Sequence, residues 1–300
     1  MAYPLRIGTR GSRLALAQAH WVADQLRSRG SDVEIIEITT SGDRIRDVPL
    51  GPHLGSSFFT KEIESALLDG AIDLAVHSCK DLASRMPDGL TLGAVPVRED
   101  TRDVVVARAG ADLESALRVG TSSPRRRGAL AALRPSWDVI DQRGNVPTRV
   151  AAADDGTVDA VILAAAGLRR LGLADRITHH FPPDELVPAA GQGALALQAR
   201  SEDASTDSVI RALEDPDARP CVDAERAVLR SLDAGCQAPV GAWARMTSEG
   251  IELFGMLAGD GQVVRAHAVG DPAAAEEIGA RVASDLLDAA GISSVNEVTG

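Results

Sequence analysis

The 300-residue sequence predicts an α/β protein: two hinged lobes with mixed sheets, followed by a small C-terminal α+β domain with a three-stranded antiparallel sheet. Three observations predict it. Apolar, strand-like runs alternate with helix-period segments through residue 200, the pattern of βαβ units. Two connectors, at 96–102 and 188–194, interrupt that alternation and read as crossings between lobes, which makes a hinged cleft. Past Asp215-Pro216 the pattern changes to one helix, three strand-like runs and a closing helix. The boundaries expected are 1–96 with 194–213 for lobe 1, 97–193 for lobe 2 and 214–300 for the C-terminal domain.

In chain order, Leu5-Arg6-Ile7-Gly8 is a short buried strand, and Ser12 caps a helix running to about Ser28. A second strand covers 33–38. Residues 40–57, rich in Gly, Pro, Asp and Ser, form a loop long enough to be a lid, ahead of a helix over 60–69. The run 72–81 is an apolar strand that ends in polar residues. Strands at 90–95 and 103–107 flank the first crossing, and Val119-Gly120 leads into a helix with Pro124 in its first turn. A strand at 158–163 precedes a short helical stretch to Arg170, and the second crossing enters a strand near Leu195. The last part has a helix to Leu232, strands at 241–246, 251–257 and 262–269, with Gly259-Asp260-Gly261 turning the last hairpin, and a helix over 273–289.

Composition narrows the function. The chain is 45% apolar, with no apolar run longer than 160–168 and no signal-peptide pattern at its start, so a cytoplasmic protein without a membrane partner is expected. Its net charge of −12 argues against nucleic acid as a partner. Locally the sign reverses: between Arg118 and Arg149 seven arginines face two aspartates, which suggests a small polyanionic ligand. Only Lys61 and Lys80 are lysines, so either is a candidate for chosen chemistry. The three cysteines, Cys79, Cys221 and Cys236, lack metal-ligand or redox spacing, and no histidine pair has it either.

The candidate site residues follow from placement. Thr9-Arg10-Gly11-Ser12 puts a cation and a hydroxyl at a helix N-terminus, an anion-binding position, although Ser12 as a plain cap explains half of it. Lys80 and Asp81 stand at a strand exit, where open α/β sheets form their ligand crevice; a surface ion pair is the plainer alternative. Thr121-Ser122-Ser123 with Arg125-Arg126-Arg127 is a second anion site, and three successive arginines cannot share one helix face. Arg143-Gly144-Asn145 with Arg149 repeats the arrangement, with guanidinium forks suited to carboxylates. Phe58 and Phe59 are either a core staple or an aromatic surface for a flat ligand. His77 reads as a hydrogen-bonded structural residue. Cys236, between Gly235 and Gln237-Ala238-Pro239, is either a small buried residue under a turn or an accessible thiol.

Taken together, Leu5-Arg6-Ile7-Gly8-Thr9-Arg10, Ala75-Val76-His77-Ser78-Cys79-Lys80-Asp81, Gly120-Thr121-Ser122-Ser123 with Arg125-Arg126, Arg143-Gly144-Asn145-Val146 with Thr148-Arg149, Ala165-Ala166-Gly167-Leu168, Gly191-Gln192-Gly193-Ala194, Glu225-Arg226 and Gly235-Cys236-Gln237 occur in the order seen in the porphobilinogen deaminase (hydroxymethylbilane synthase) family. The chain resembles that family over nearly its whole length. The resemblance implies two lobes like those of periplasmic binding proteins and a third domain, in a monomer. It implies a dipyrromethane cofactor held by a thioether, here on Cys236. It implies head-to-tail joining of four porphobilinogen units with loss of ammonia, and release of hydroxymethylbilane by hydrolysis. Asp81 matches the essential carboxylate. Arg10, Ser12, Lys80, Ser123, Arg125, Arg126, Arg143, Arg149 and Arg170 match groups that hold substrate carboxylates, with Thr121, Ser122, Gly144 and Gln192 lining the cleft and Phe59 stacking on a pyrrole. Arg127 and Arg169 match no role and are expected to be solvated. Where many members have a lid lysine this chain has Gly55-Ser56-Ser57. The rival reading is a non-enzymatic two-lobed protein that binds an oxyanion or polycarboxylate; a cysteine-nucleophile transferase or hydrolase, needing a histidine base near Cys236, is a weaker one.

Overall fold

The computed structural model describes residues 4–44, 60–235, 238–259 and 261–298. The first lobe opens with β1 (Leu5–Thr9), α1 (Arg13–Arg27) and β2 (Val33–Glu37). The Ser12 hydroxyl accepts from the Ala15 amide at 3.3 Å, so the predicted cap forms, and α1 buries Ala19, Val22, Ala23 and Leu26 against the sheet. Ser41–Arg44 is one helical turn, α2; the remainder of the predicted lid, with Phe58 and Phe59, lies outside the described residues. Then come α3 (Lys61–Leu68), β3 (Leu74–Ser78), a 3-10 turn (Cys79–Asp81) and β4 (Leu90–Ala94).

The middle of the chain supplies β5 (Asp103–Ala107), β6 (Arg118–Gly120), α4 (Pro124–Leu133), β7 (Asp138–Ile140), α5 (Val146–Asp154), β8 (Ala160–Ala164), α6 (Ala165–Arg170) and β9 (His179–His180). Strands β7 and β9, of three and two residues, carry too short a pattern to be read from sequence. The chain then returns through β10 (Leu195–Arg200) and α7 (Ala204–Ile210). The last part holds α8 (Ala218–Ser231), β11 (Val240–Thr247), β12 (Gly250–Gly259), β13 (Gln262–Gly270) and α9 (Ala275–Ala290).

Two five-stranded mixed sheets result, ordered β2-β1-β3-β10-β4 and β7-β6-β8-β5-β9, with a three-stranded antiparallel sheet β11-β12-β13. In the first, β1, β2 and β3 are parallel and β10 runs against β3 and β4; in the second, β6, β7 and β8 are parallel and β5 runs against β8 and β9. The register places Leu195 opposite Ser78 and Asp103 opposite Ala164. Both crossings therefore meet the sheets at the carboxyl ends of the parallel strands, the edge at which α/β sheets bind ligands. Strands β3, β5 and β8 are apolar almost throughout because each is covered on both faces. The third sheet packs on α8 and α9, with Ile251, Leu253, Val282 and Leu286 in its core. None of the described helices is long and apolar enough to cross a membrane.

Candidate active site

Parallel strand ends bring the predicted residues to one edge. Strand β3 turns through Cys79–Asp81, which buries Cys79, leaves Lys80 half-buried and exposes Asp81. Arg10 and Ser12 follow β1 at the same edge of that sheet. Across from them, β6 ends in Thr121-Ser122-Ser123, where the Ser123 hydroxyl caps α4 by accepting from the Arg126 amide at 3.4 Å. Ser122 donates to the Gln142 carbonyl at 2.6 Å, tying that turn to the one after β7. There the Asn145 side chain caps α5, Arg143 pairs with Asp141 at 3.1 Å, and Arg149 donates from Nε to the Gly144 carbonyl at 2.8 Å. Gly144 takes a φ of +114°, so this turn requires glycine.

Arg125 and Arg126 are buried, and both are engaged by Asp103, a residue sequence reasoning passed over. Arg125 Nη1 donates to Asp103 Oδ2 at 2.6 Å and to the Val187 carbonyl at 2.7 Å. Arg126 donates from Nε and Nη2 to Asp103 Oδ1 at 3.0 and 2.7 Å, and from Nη1 to the Ile162 carbonyl at 2.9 Å. Asp103 is fully buried, and despite that burial the two guanidinium groups hold its carboxyl far below the usual range. The only sequence signal was an acid opening the otherwise apolar run Asp103-Val104-Val105-Val106.

Gln192, with no exposed surface, connects the two sides. Its Nε2 donates to the Thr101 carbonyl at 2.7 Å and to Asp103 Oδ1 at 3.0 Å, while its Oε1 accepts from Lys80 Nζ at 3.4 Å. Its placement is that of a bridge under the cleft. A second buried pair was also missed: Arg98 forks onto Glu225 at 2.7 and 2.9 Å, and Glu225 accepts from the Gly191 and Ala244 amides. One carboxylate thus joins both crossings to α8 and β11. Arg226 extends the same junction by donating to the Ala83 and Ser84 carbonyls, just past Asp81.

At this edge burial shifts three cations below their ordinary values. Burial pushes the Lys80 ammonium down to about 8, opposed by Asp81 and reinforced by Arg126. Burial likewise pushes Arg149 down to about 10, with Arg126 adding to the shift and Asp141 and Asp81 opposing it. Arg170, whose Nη2 donates to the Gly193 carbonyl at 2.7 Å, is also pushed down to about 10 by burial. The Asp81 carboxylate opposes the shift both of Lys80, beside it, and of Arg149, which follows β7 in the other sheet. Desolvated cations in excess of their carboxylates favour a ligand that carries several carboxylates. An acidic dipyrrole fits that donor set.

Two arginines expected to be solvated have partners. Arg127 is exposed, yet it donates to the Val139 carbonyl at 2.7 Å and the Thr121 carbonyl at 3.4 Å. Arg169 reaches Asp100 at 3.4 Å and Glu99 at 3.8 Å, because the end of α6 abuts the first crossing. His77 Nε2 lies 3.1 Å from Gln198 Oε1, a structural bond inside lobe 1. Cys236 lies outside the described residues; the described Gly235 before it is exposed. Among the described residues no group of three or more His, Cys, Asp or Glu could hold a metal ion.

Comparison with known proteins supplies the remaining evidence. Residues 5–208 match the family model described as "Porphobilinogen deaminase, dipyromethane cofactor binding domain", and residues 220–288 match "Porphobilinogen deaminase, C-terminal domain". Curated relatives named porphobilinogen deaminase include one from Syntrophobacter fumaroxidans, 45% identical over 95% of this chain and 94% of its own, and one from Desulforudis audaxviator, 47% identical over 94% of each. A solved two-lobed protein, the periplasmic aliphatic sulphonate binding protein SsuA from Escherichia coli, aligns at 16% identity and a TM-score of 0.41 over 77% of this chain and 71% of that one; the sheet topology, and not that likeness, defines the architecture here. With both domain models matched in order and relatives similar along the whole chain, this chain belongs to the porphobilinogen deaminase family.

Proposed function

We propose that the chain is a hydroxymethylbilane synthase in which Asp81 performs the recurring chemistry and Cys236 anchors the dipyrromethane cofactor through a thioether. What supports the reading is geometry: Asp81 is an exposed carboxylate at the carboxyl end of β3, next to Lys80, whose ammonium is joined through Gln192 to the Asp103–Arg126 cluster of the other sheet. Dipyrromethane, when bound, supplies a free pyrrole terminus for chain growth. Each of four condensations breaks the aminomethyl C–N bond of porphobilinogen, releases ammonia, forms one C–C bond and frees one proton from the coupling carbon. A final addition of water releases hydroxymethylbilane.

The chain's own residues have distinct tasks. Asp81 stabilises positive charge as the amine departs and receives the proton lost from the coupling carbon. Lys80, Arg149 and Arg170 offset the acetate and propionate carboxylates, which an acidic protein would otherwise repel. Arg10, Ser12 and Arg143 extend that role to further rings, and Phe59 stacks on a pyrrole. Thr121, Ser122, Ser123 and Gly144 shape the turns that aim these cations. Arg125, Arg126 and Gln192 form the floor, joined by their bonds to Asp103. On this reading the working form is a cytoplasmic monomer.

Intact-mass analysis of the purified protein tests the anchor: an adduct equal to a dipyrromethane is expected, mapped to Cys236. An unmodified, fully active protein would remove the covalent cofactor. Asp81→Asn should keep the adduct and lose about 10²- to 10⁴-fold in turnover, the range for a positioned proton acceptor. Normal activity in that variant would take Asp81 out of the mechanism.

A further inference from the structure

The two crossings are bound to each other and to one short helix. Glu99 donates its amide to the Gly193 carbonyl at 3.2 Å, and Arg98 Nε donates to the Gln192 carbonyl at 3.0 Å. Gly193 has a φ of +86°, and a Cβ there would stand 2.3 Å from the Glu99 carbonyl oxygen, so the strands of the hinge touch through backbone. Helix α6 grips this pair at both of its ends. Its first amide, Ala165, donates to the Arg102 carbonyl at 3.0 Å. At its last turn Arg170 donates to the Gly193 carbonyl of the second crossing, while Arg169 pairs with Asp100 and Glu99 of the first. Asp100 is held in place by Arg102 at 2.7 Å. The flank of α6 also meets lobe 1, where Leu14 Cδ2 lies 3.8 Å from the position of a Cβ on Gly167.

This geometry ties the hinge to lobe 2 as far as residues 99 and 193. The Arg170 bond is half-buried and sits in the cleft machinery. The Arg169 pairs are the adjustable part, because the Arg169 side chain is 44% exposed, against 10% for Asp100 and 35% for Glu99. We infer that Arg169 is a hinge-positioning residue: its ion pairs bracket the first crossing against α6 and set how readily the lobes part as the bound chain lengthens. The inference rests on the elongation reading above, since only a growing ligand demands progressive widening.

The test uses the holoenzyme and the variants Arg169→Lys, Arg169→Gln and Arg169→Glu. Each is given a limiting amount of porphobilinogen, and the ladder of enzyme-bound adducts is read by intact mass at low salt and at about 1 M salt, where the screening length is about 3 Å. Uptake of the first unit should be unchanged. At low salt Arg169→Gln and Arg169→Glu should shift the bound population toward longer adducts by about two- to fivefold, the range for an exposed ion pair. Arg169→Lys should behave as the unsubstituted protein, and the unsubstituted protein at high salt should resemble Arg169→Gln. The same ladder in all variants at low salt overturns the inference, as does uniform slowing of every addition with a parallel fall in thermal stability. Absence of any adduct series on the unsubstituted protein would overturn the functional reading itself. Solution scattering then decides the bracket alone, and a radius of gyration unchanged in Arg169→Glu would overturn it.

Discussion

Lys80 shows how a single side chain can be tuned by place. Free lysine titrates near about 10.4, whereas burial brings this ammonium down to about 8. Between those values the unfolded chain binds more protons than the folded one, so stability rises as pH climbs from about 8 to about 10, and the full penalty is felt below 8. Catalysis runs the other way, because a neutral amine no longer holds a carboxylate. As a result, kcat/KM for porphobilinogen, which reports the free enzyme, should fall as pH passes about 8. A guanidinium in the same place keeps its proton across that range, so Lys80→Arg should move the fall to higher pH; initial rates from pH 6 to about 10 check this, and an unmoved profile would clear Lys80. Its candidacy was legible because it is one of two lysines at a strand exit. The roles of Asp103 and Gln192 were not, because a buried carboxylate and a buried amide are identified by what surrounds them, and their partners lie 22 to 112 residues away in sequence.

At the scale of elements, capping chemistry could be read directly. Ser12, Ser123 and Asn145 each precede a helix and each accepts from an amide three residues on, as local sequence dictates. Close packing between distant helices could not be read that way. Gly279, in the interior of α9, lies against α8, where a Cβ would stand 2.4 Å from the Ala224 carbonyl oxygen and 2.5 Å from Ala227 Cβ. Helix propensity alone favours alanine over glycine by about 1 kcal/mol. The clash with backbone opposes it, and overpacking costs about 1–3 kcal/mol. The second effect wins because α8 cannot retreat without breaking the Arg98–Glu225 pair. Gly279→Ala should therefore destabilise the protein in urea unfolding, and a stabilised variant would show that α8 and α9 are less tightly apposed.

At the scale of the molecule, three sheets are fastened at one point. Glu225, fully buried, is bonded to Arg98, Gly191 and Ala244, so the two crossings and the C-terminal sheet share a single carboxylate. Removing one partner of a buried pair leaves the other charge uncompensated, which costs about 3–5 kcal/mol. Glu225→Gln should lose stability on that scale and make the C-terminal part more open to protease. A change below about 0.5 kcal/mol, the size of an ordinary surface substitution, would mean the junction is not a fastening.

What the sequence determined by itself was the alternation of strands and helices, the two crossings, the change of pattern after Asp215-Pro216, and the order of motifs that places the chain in its family. Those features depend on periodicity, turn chemistry and local caps, which act over a few residues. Tertiary structure decided which arginines a buried carboxylate takes up and which donate to backbone carbonyls instead. Arg125 and Arg126 differ from Arg149 and Arg170 in nothing that composition records, but Asp103 starts a strand antiparallel to β8 and so arrives under α4. The physical reason is that charge pairing in a low-dielectric interior depends on distance in space, and strand order, not chain order, sets that distance.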